Sequence, residues 1–474
     1  MSTPLLRSAE LRTVETGHAN VRPPLMDRAG TAAAALAKRL LKDGRAPVLV
    51  CAGPGNNGGD ARVMARALGR QGIATVIVGA ADEVPAGDYG LVVDGLFGIG
   101  LTRPVSGAWA DLITRINAFE GPVLALDVPS GLDGDTGRVL GVAVHATHTL
   151  SFIGGKPGLY TLDGPDHCGV VSIDDLGLRL TGFPGALLSG DDFRECLKPR
   201  RRNSHKGSYG SLAVIGGAAG MAGAALLAAR AGLKLGAGRV FGGLLQGLAV
   251  DPLQPELMLR PPRDALAQAT VAVIGPGLGN SDAALDVLRD CLPAERNPRH
   301  AERASADIPL LLDADALNLL AGHPVLALRI ARREAATLMT PHPAEAARLL
   351  ATTTEAVQGD RVAAALELAR RFRAHVALKG CGTVIAHPDG QWRINATGNP
   401  GLASGGSGDV LSGMIGALLA QGWPAAAALS AAVHLHGAAA DALAAEGNGP
   451  IGIAAGELIP AARTLLNRLI AADA

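Results

Sequence analysis

Short apolar runs alternate along this chain with Gly-rich turns and with stretches of helical spacing. Residues 47–51, 74–78, 91–93 and 122–127 are apolar and rich in Val and Leu, and residues 62–68 carry apolar positions at helical intervals. Brief apolar runs without polar alternation are the mark of strands covered on both faces. Their alternation with helices predicts a parallel sheet between two helical layers. A second series follows at 211–215, 239–242, 271–274, 309–312, 336–339, 376–378 and 383–386. Between the two, residues 181–196 mix Gly, Pro and charge without a clear period. The expected boundary lies there, giving domains 1–190 and 191–474. No fixed-period repeat links the halves and their turn motifs differ, so the pattern predicts two fused α/β domains rather than a duplication.

Length and composition agree with this reading. A chain of 474 residues is long enough for two or three domains. With 48% hydrophobic and 18% charged residues and a mean hydropathy of +0.25, disorder is excluded. Aromatics are only 3%, so the cores must be built from Ala, Val, Leu and Ile. Lys plus Arg and Asp plus Glu both total 43, so no strong basic field exists for nucleic acid or an anionic membrane. The basic run Lys198, Arg200, Arg201, Arg202 and Lys206 reads first as a solvated linker, with a phosphate contact from Lys206 as the alternative. Five scattered cysteines without a CxxC pair, and no secretory signal, fit a reducing cytoplasm. Residues 410–433 carry no charge over a length that could span a bilayer. Gly422-Trp423-Pro424 interrupts them, which predicts two shorter buried helices. The apolar composition also leads us to expect self-association.

Three turns carry the chemistry of the first half. Asn56-Asn57-Gly58-Gly59-Asp60 lies between a strand and a helix. Its glycines let backbone N–H groups approach a ligand, and the helix amino end carries about half a positive elementary charge. A tight turn without a ligand would read the same way. Asp94-Gly95-Leu96-Phe97-Gly98-Ile99-Gly100 and Asp127-Val128-Pro129-Ser130-Gly131 each follow an apolar strand. In open α/β sheets ligands bind outside such strand ends, so Asn57, Asp94, Asp127 and Ser130 are expected to converge. A carboxylate with amide and hydroxyl oxygens suits a hard cation rather than zinc. Asp and Ser also cap helices and turns, the bland alternative for each residue alone.

The motifs GPGNNGGD, DGLFGIG and DVPSGLDGDTG resemble the YjeF N-terminal family of NAD(P)H-hydrate epimerases over roughly residues 1–180. The resemblance implies a Rossmann-like αβα domain with a potassium ion held by Asn57, Asp94 and Ser130. It implies substrate contacts from Asn56, Asn57, Gly58, Gly59 and Asp60, from Gly98, Ile99, Gly100, Leu101, Thr102, Arg103 and Pro104, and from Asp127. Asp127 is the best acid/base candidate and Lys156 a weaker one. Ala61 stands where relatives often have Gly, a minor departure.

In the second half, Lys379-Gly380-Cys381-Gly382-Thr383 follows a strand, and Gly405-Gly406-Ser407-Gly408-Asp409 opens a helix expected to begin near Val410. Glycines before a helix amino end form an anion hole for phosphates. Asp409 is then placed to act as a general base on a hydroxyl, or merely to cap the helix. The turns Lys206-Gly207-Ser208-Tyr209-Gly210, Gly216-Gly217-Ala218, Gly275-Pro276-Gly277-Leu278-Gly279 and Thr340-Pro341-His342-Pro343-Ala344-Glu345, with the helix start Met221-Ala222-Gly223-Ala224-Ala225, fit a substrate cleft. His342 alone reads as a solvent-facing turn histidine. His434 and His436 are two apart on a helix and point to different faces, so no metal pair is expected there.

The motifs KGSYG, GMAGAALLAARAGL, IGPGLG, LDADALN, TPHPAE, LKGCGT and NPGLASGGSGDVLSG resemble the ADP/ATP-dependent NAD(P)H-hydrate dehydratase family, from about residue 200 onward. This resemblance implies a ribokinase-like αβα fold. It implies hydrate contacts at Ala224, Gly277, His342 and Asp409, and nucleotide contacts at Lys379, Gly380, Cys381, Gly382, Thr383 and Gly408. Magnesium is expected with ADP or ATP. The order of the halves resembles bifunctional bacterial repair enzymes, which implies hydrated NADH and NADPH as substrates. A vitamin- or sugar-type hydroxyl kinase is the rival for the second half, and a non-catalytic binding module for the first.

Overall fold

The computed structural model describes residues 3–41, 46–80, 82–292 and 307–472. The chain folds as two compact units, Thr3–Leu187 and Leu188 onward.

The first unit is built on strands β1 (Val48–Ala52), β2 (Thr75–Val78), β3 (Leu91–Gly95), β4 (Val123–Leu126), β5 (His148–Phe152) and β6 (Val170–Asp174), ordered β2-β1-β3-β4-β5-β6. All neighbours in this sheet are parallel. A short strand β7 (Gly185–Leu187) follows outside this sheet, with Ala186 bridged to Pro4. The chain passes from β1 to β2 on one side, then returns to β3 on the other. That reversal opens a crevice outside the carboxyl ends of β1 and β3. The pattern along the chain reveals β1 to β4. It does not reveal β5 or β6, because His148-Thr149-Leu150-Ser151-Phe152 alternates polar side chains, and the β6 residues are only half buried.

The second unit holds β8 (Ser211–Gly216), β9 (Arg239–Leu244), β10 (Met258–Arg260), β11 (Val271–Ile274), β12 (Leu310–Leu312), β13 (Thr337–Met339), β14 (His375–Leu378), β15 (Val384–Ala386) and β16 (Trp392–Ile394). Their order is β10-β9-β8-β11-β12-β13-β14-β15-β16. Pairing is parallel as far as β14 and antiparallel through β15 and β16. Here the direction of winding reverses between β8 and β11, which sets a second crevice.

Scarce aromatics force close helix packing. Helix Leu25–Leu40 buries Ala29, Ala33 and Ala37 at four-residue spacing against helix Asn56–Gly69. A Cβ on Gly30 would lie 2.4 Å from Val63 Cγ1, so only glycine allows this approach. In the second unit a Cβ on Gly413 would lie 2.0 Å from the Ala228 carbonyl oxygen, bringing helices Ala222–Lys234 and Ser407–Ala420 equally close. Helix Ser407–Ala420 is buried at every position from Val410 to Ala420, as a helix apolar all round should be. A second helix, Ala425–Ala445, follows the Gly422-Trp423-Pro424 break. Among the described residues no helix is long and apolar enough to cross a membrane.

Candidate active sites at the strand ends

In the first unit, Asn56-Asn57-Gly58-Gly59-Asp60 forms the first turn of helix Asn56–Gly69 rather than a turn ahead of it, with Gly55 extended at the N-cap. Asn57 is thereby turned toward the sheet, where its Nδ2 donates to the Phe97 carbonyl (2.8 Å) and the Leu126 carbonyl (3.0 Å). Asp94, fully buried at the end of β3, accepts from Ser130 N (2.7 Å), Ser130 Oγ (2.6 Å) and Leu96 N (3.2 Å). Burial pushes the Asp94 carboxyl up to about 6, against these hydrogen bonds, which pull it down. Asn57 Oδ1 is buried without a hydrogen-bond partner. An orphaned amide oxygen in a wall that also holds a carboxylate and a hydroxyl is a donor set that fits a hard cation.

Asp127 follows β4 with a left-handed backbone, φ +66°, which costs a non-glycine residue about 1–2 kcal/mol. The strain aims its carboxylate at Lys156, whose Nζ pairs with Asp127 Oδ1. Lys156 is completely buried, and its ammonium also donates to Ser151 Oγ (3.0 Å) and the Phe152 carbonyl (2.8 Å). Asp127 Oδ2 lies toward Gly98, where a Cβ would meet it at 3.5 Å. The weaker candidate of the sequence is therefore the direct partner of the stronger one.

A cavity of about 720 Å³ opens over these groups. Asn56, Asn57, Asp60, Gly98, Ile99, Gly100, Leu101, Thr102, Arg103 and Asp127 all line it. Gly58, Gly59 and Pro104 do not. A Cβ on Gly58 would lie 1.9 Å from the Gly53 carbonyl oxygen, and one on Gly59 would lie 2.6 Å from Met26 Cε, so both serve close packing. The wall also contains Arg12 and Glu15 from helix Ser8–Gly17, which carries no motif and which sequence reasoning missed. Burial, then the charge of Asp127, pushes Glu15 upward. Burial, Asp127 and Glu15 together push Asp60 up to about 8, with Lys156 opposing.

In the second unit the loops after successive strands interlock at the carboxyl edge. A Cβ on Gly275, at φ +127°, would lie 1.8 Å from the Asp313 carbonyl oxygen. A Cβ on Gly277, at φ +58°, would lie 2.4 Å from the Met221 carbonyl oxygen and 3.2 Å from Ala224 Cβ. Gly279 N donates to Asp315 (2.8 Å). Asp313 is nearly fully buried and receives Lys379 Nζ (2.7 Å) on one oxygen and Ser412 Oγ (2.7 Å) on the other. Burial opposes the Lys379 charge, but Asp313, Glu345 and Asp409 outweigh it and hold its pKa above the ordinary value. Lys379 N also donates to the Pro341 carbonyl (2.9 Å), which ties the Lys379 loop to the His342 turn.

Helix Ser407–Ala420 begins three residues earlier than expected. Gly406 is its N-cap in a left-handed conformation, and Asp409 lies in its first turn rather than at the cap. Lys379 Nζ lies 3.4 Å from where a Cβ on Gly408 would stand. Burial, and then the charge of Asp313, pushes Asp409 up to about 6, partly offset by Lys379. His342 caps helix Pro343–Leu350 through Nδ1, which accepts from Ala344 N (3.1 Å) and Glu345 N (3.3 Å). Its Nε2 is 3.2 Å from Glu345. Cys381 is exposed in the loop that Gly380 and Gly382 turn at φ +139° and +62°, and Thr383 Oγ1 donates back to Gly380.

Buried Arg361 fastens that loop by donating to the Leu378 (3.1 Å) and Lys379 (3.2 Å) carbonyls, a role no motif announced. His436 Nε2 meets the Ser407 carbonyl (2.9 Å), and among the described residues no three His, Cys, Asp or Glu are arranged to hold a metal ion. Two expectations fall. The segment Lys206–Tyr209 precedes β8 and so sits at the amino edge of the sheet, away from this cleft. Arg200 is not simply solvated, since it stacks 3.7 Å above the Tyr209 ring and donates to the Gly236 carbonyl (2.6 Å).

Fold and strand-end chemistry together define a fusion of two doubly wound α/β enzyme units. A sequence profile described as NAD(P)H-hydrate dehydratase matches residues 212–461, and one described as YjeF-related protein N-terminus matches residues 23–87 and 79–158. The chain is 39% identical to the bifunctional NAD(P)H-hydrate repair enzyme of Coxiella burnetii, over 98% of both lengths. It is 38% identical to the enzyme of that name from Escherichia coli K12, over 94% of this chain and 89% of the relative. An ADP-dependent (S)-NAD(P)H-hydrate dehydratase of Neisseria meningitidis is 44% identical, over 60% of this chain and 98% of its own. A solved ribokinase-like superfamily protein of Enterococcus faecalis superposes with a TM-score of 0.51 at 26% identity, covering 62% of this chain and 99% of its own. This chain belongs to the family of bifunctional NAD(P)H-hydrate repair enzymes.

Proposed function

We propose that the first unit interconverts the two epimers of hydrated NADH and NADPH, and that the second dehydrates the S epimer with ADP or ATP. The observation that carries the second assignment is the position of Asp409. It lies in the first turn of a helix whose glycine-rich amino end faces Lys379, and the Lys379 backbone is tied to the His342 turn through the Pro341 carbonyl. A ring hydroxyl leaves poorly as hydroxide. Transfer of a phosphoryl group to it, with Asp409 taking the hydroxyl proton, makes a phosphate ester whose C–O bond breaks as the ring nitrogen donates its electron pair; phosphate leaves, and loss of a proton from the adjacent ring carbon turns the resulting C=N⁺ cation into the reduced nicotinamide. Lys379 and the backbone N–H groups of residues 407–409 stabilise the transferring charge. Gly380, Cys381, Gly382 and Thr383 form the nucleotide's other wall, held by Arg361.

Magnesium would enter with the nucleotide, since Mg²⁺ is commonly held through phosphates and one or two carboxylates, and it would spread the phosphate charge. In the first unit, Asn57, Asp94 and Ser130 would hold potassium, consistent with the orphaned Asn57 Oδ1. The ion would neutralise Asp94 and fix the Phe97-Gly98 loop beneath the substrate. Asp127, paired with Lys156, then faces the hydrated ring carbon. Five free cysteines agree with a reducing cytoplasm as the working compartment.

The test supplies mixed hydrate epimers with ADP or ATP and follows reduced-nicotinamide absorbance together with free phosphate. Complete recovery of NADH with stoichiometric phosphate is expected. A stable phosphorylated product without NADH would assign the second unit as a hydroxyl kinase instead. Recovery stalled at one epimer would remove the epimerase assignment.

A further inference from the structure

The cavity of the first unit holds more acid chemistry than one catalytic pair uses. Its charged groups are Arg12 and Glu15 from helix Ser8–Gly17, Asp60 from helix Asn56–Gly69, Arg103 from the loop after β3, and Asp127 after β4 with Lys156 behind it. Asp127 is committed, since Lys156 and the Phe152 amide both donate to its Oδ1. That arrangement fixes the carboxylate and leaves Oδ2, which lies toward Gly98, to accept a proton. Asp60 is half buried in the same wall, and among the described residues neither its side chain nor that of Glu15 makes a hydrogen bond or ion pair. Epimerisation at a carbon bearing both a hydroxyl and a ring nitrogen needs two proton transfers, one to the departing hydroxyl and one from the returning water. One carboxylate held by an ammonium serves one of them.

We propose that Asp60 is the proton donor of this cleft and Asp127 the acceptor. This rests on the epimerase reading of the first unit. The Asp60 carboxyl protonates the ring hydroxyl. The C–O bond breaks, water leaves, and the ring nitrogen's electron pair forms a C=N⁺ bond. Water then adds to the other face of that carbon, restoring the nitrogen lone pair, and Asp127 takes the proton this releases. Asp60 ends ionised and Asp127 protonated, and exchange with solvent resets both. Glu15 acts as a positioning residue, its negative charge keeping the Asp60 proton in place. The upward displacement of Asp60 to about 8 agrees with this assignment, because the group then still carries its proton at neutral pH.

The full-length enzyme tests this by the rate of epimer exchange in hydrated NADH, read by magnetisation transfer or chromatography across pH 5 to 10. Wild-type activity is expected to fall on the alkaline side as Asp60 ionises. Asp60→Asn should lower kcat for exchange by roughly 100-fold or more, with less than a threefold change in KM, and should abolish the alkaline limb. Asp60→Glu should restore a measurable limb. Glu15→Gln should move that limb to lower pH, because the negative charge holding the proton is gone. The thermal midpoint of the first unit in each sample reports that this unit is folded. An Asp60→Asn enzyme whose loss lies in KM, or whose alkaline limb survives, would overturn the proposal while leaving the epimerase reading intact. A wild-type chain that exchanges no epimers would overturn both.

Discussion

Each unit sets one Lys–Asp pair at the carboxyl end of its sheet, and the two pairs are turned opposite ways. In the first, Lys156 is fully buried and Asp127 is 14% exposed, so the carboxylate faces the cleft with the ammonium behind it. In the second, Asp313 is 2% exposed and Lys379 21%, so the ammonium faces the cleft with the carboxylate behind it. Each buried member needs its partner, because an unpaired charge out of water costs several kcal/mol. Only the outward member is offered to a ligand. A carboxylate outward suits proton transfer at a ring carbon, and an ammonium outward beside a helix amino end suits phosphate. Strain accompanies both, at Asp127 itself (φ +66°) and at Ala314 next to Asp313 (φ +47°).

Substitutions can break this opposition. The largest effect is expected from Asp409→Asn, which should cost the dehydratase about 10²–10⁴-fold in kcat with epimer exchange untouched, measured by NADH recovery from the S epimer. Because Asp409 is pushed up to about 6 and acts ionised, wild-type dehydratase kcat should rise with pH through that region and level off above it. Lys379→Met should raise the KM for nucleotide. It should also destabilise the second unit by about 3 kcal/mol, read from urea midpoints, since Asp313 is left buried and unpaired. Lys156→Met is the mirror experiment. It should abolish epimer exchange and destabilise the first unit by less than Lys379→Met does the second, because the residue it strands, Asp127, is partly solvated. Equal nucleotide binding by Lys379→Met and wild type would dissolve the contrast.

Potassium offers a finer test. Raising K⁺ at fixed ionic strength should shift the first unit's thermal midpoint upward by an amount worth about 1–2 kcal/mol, as a ligand bound only to the folded state must. Asn57→Ala should remove the shift. The smallest effect is expected at Arg263–Asp290, whose arginine is 76% exposed. Arg263→Ala should leave the urea midpoint and both activities unchanged.

Much of the molecule was legible in advance where one local rule governs. Apolar runs such as Val48–Ala52 and Leu310–Leu312 can only be doubly covered strands. Glycine pairs before Asp409 mark a helix amino end open to an anion. Asn57, Asp94, Asp127 and Ser130 stand at strand ends, where parallel sheets bind ligands. The residues that escaped reading lack a local signature. Glu15 sits in a helix with no motif, Arg361 in the first turn of an ordinary amphipathic helix, and β5 carries a polar alternation.

Composition, periodicity and turn chemistry determined by themselves that this chain makes two largely parallel α/β units and which loops follow their strands, because those properties act over a few residues of backbone. Only the tertiary structure decided which charge of each pair is buried, that Asp60 and Glu15 line one cavity with Asp127, and that Asn57 keeps an oxygen unpaired among the described residues. Those outcomes depend on solvent exclusion and on charges brought together from distant segments, and no local stretch of sequence encodes either.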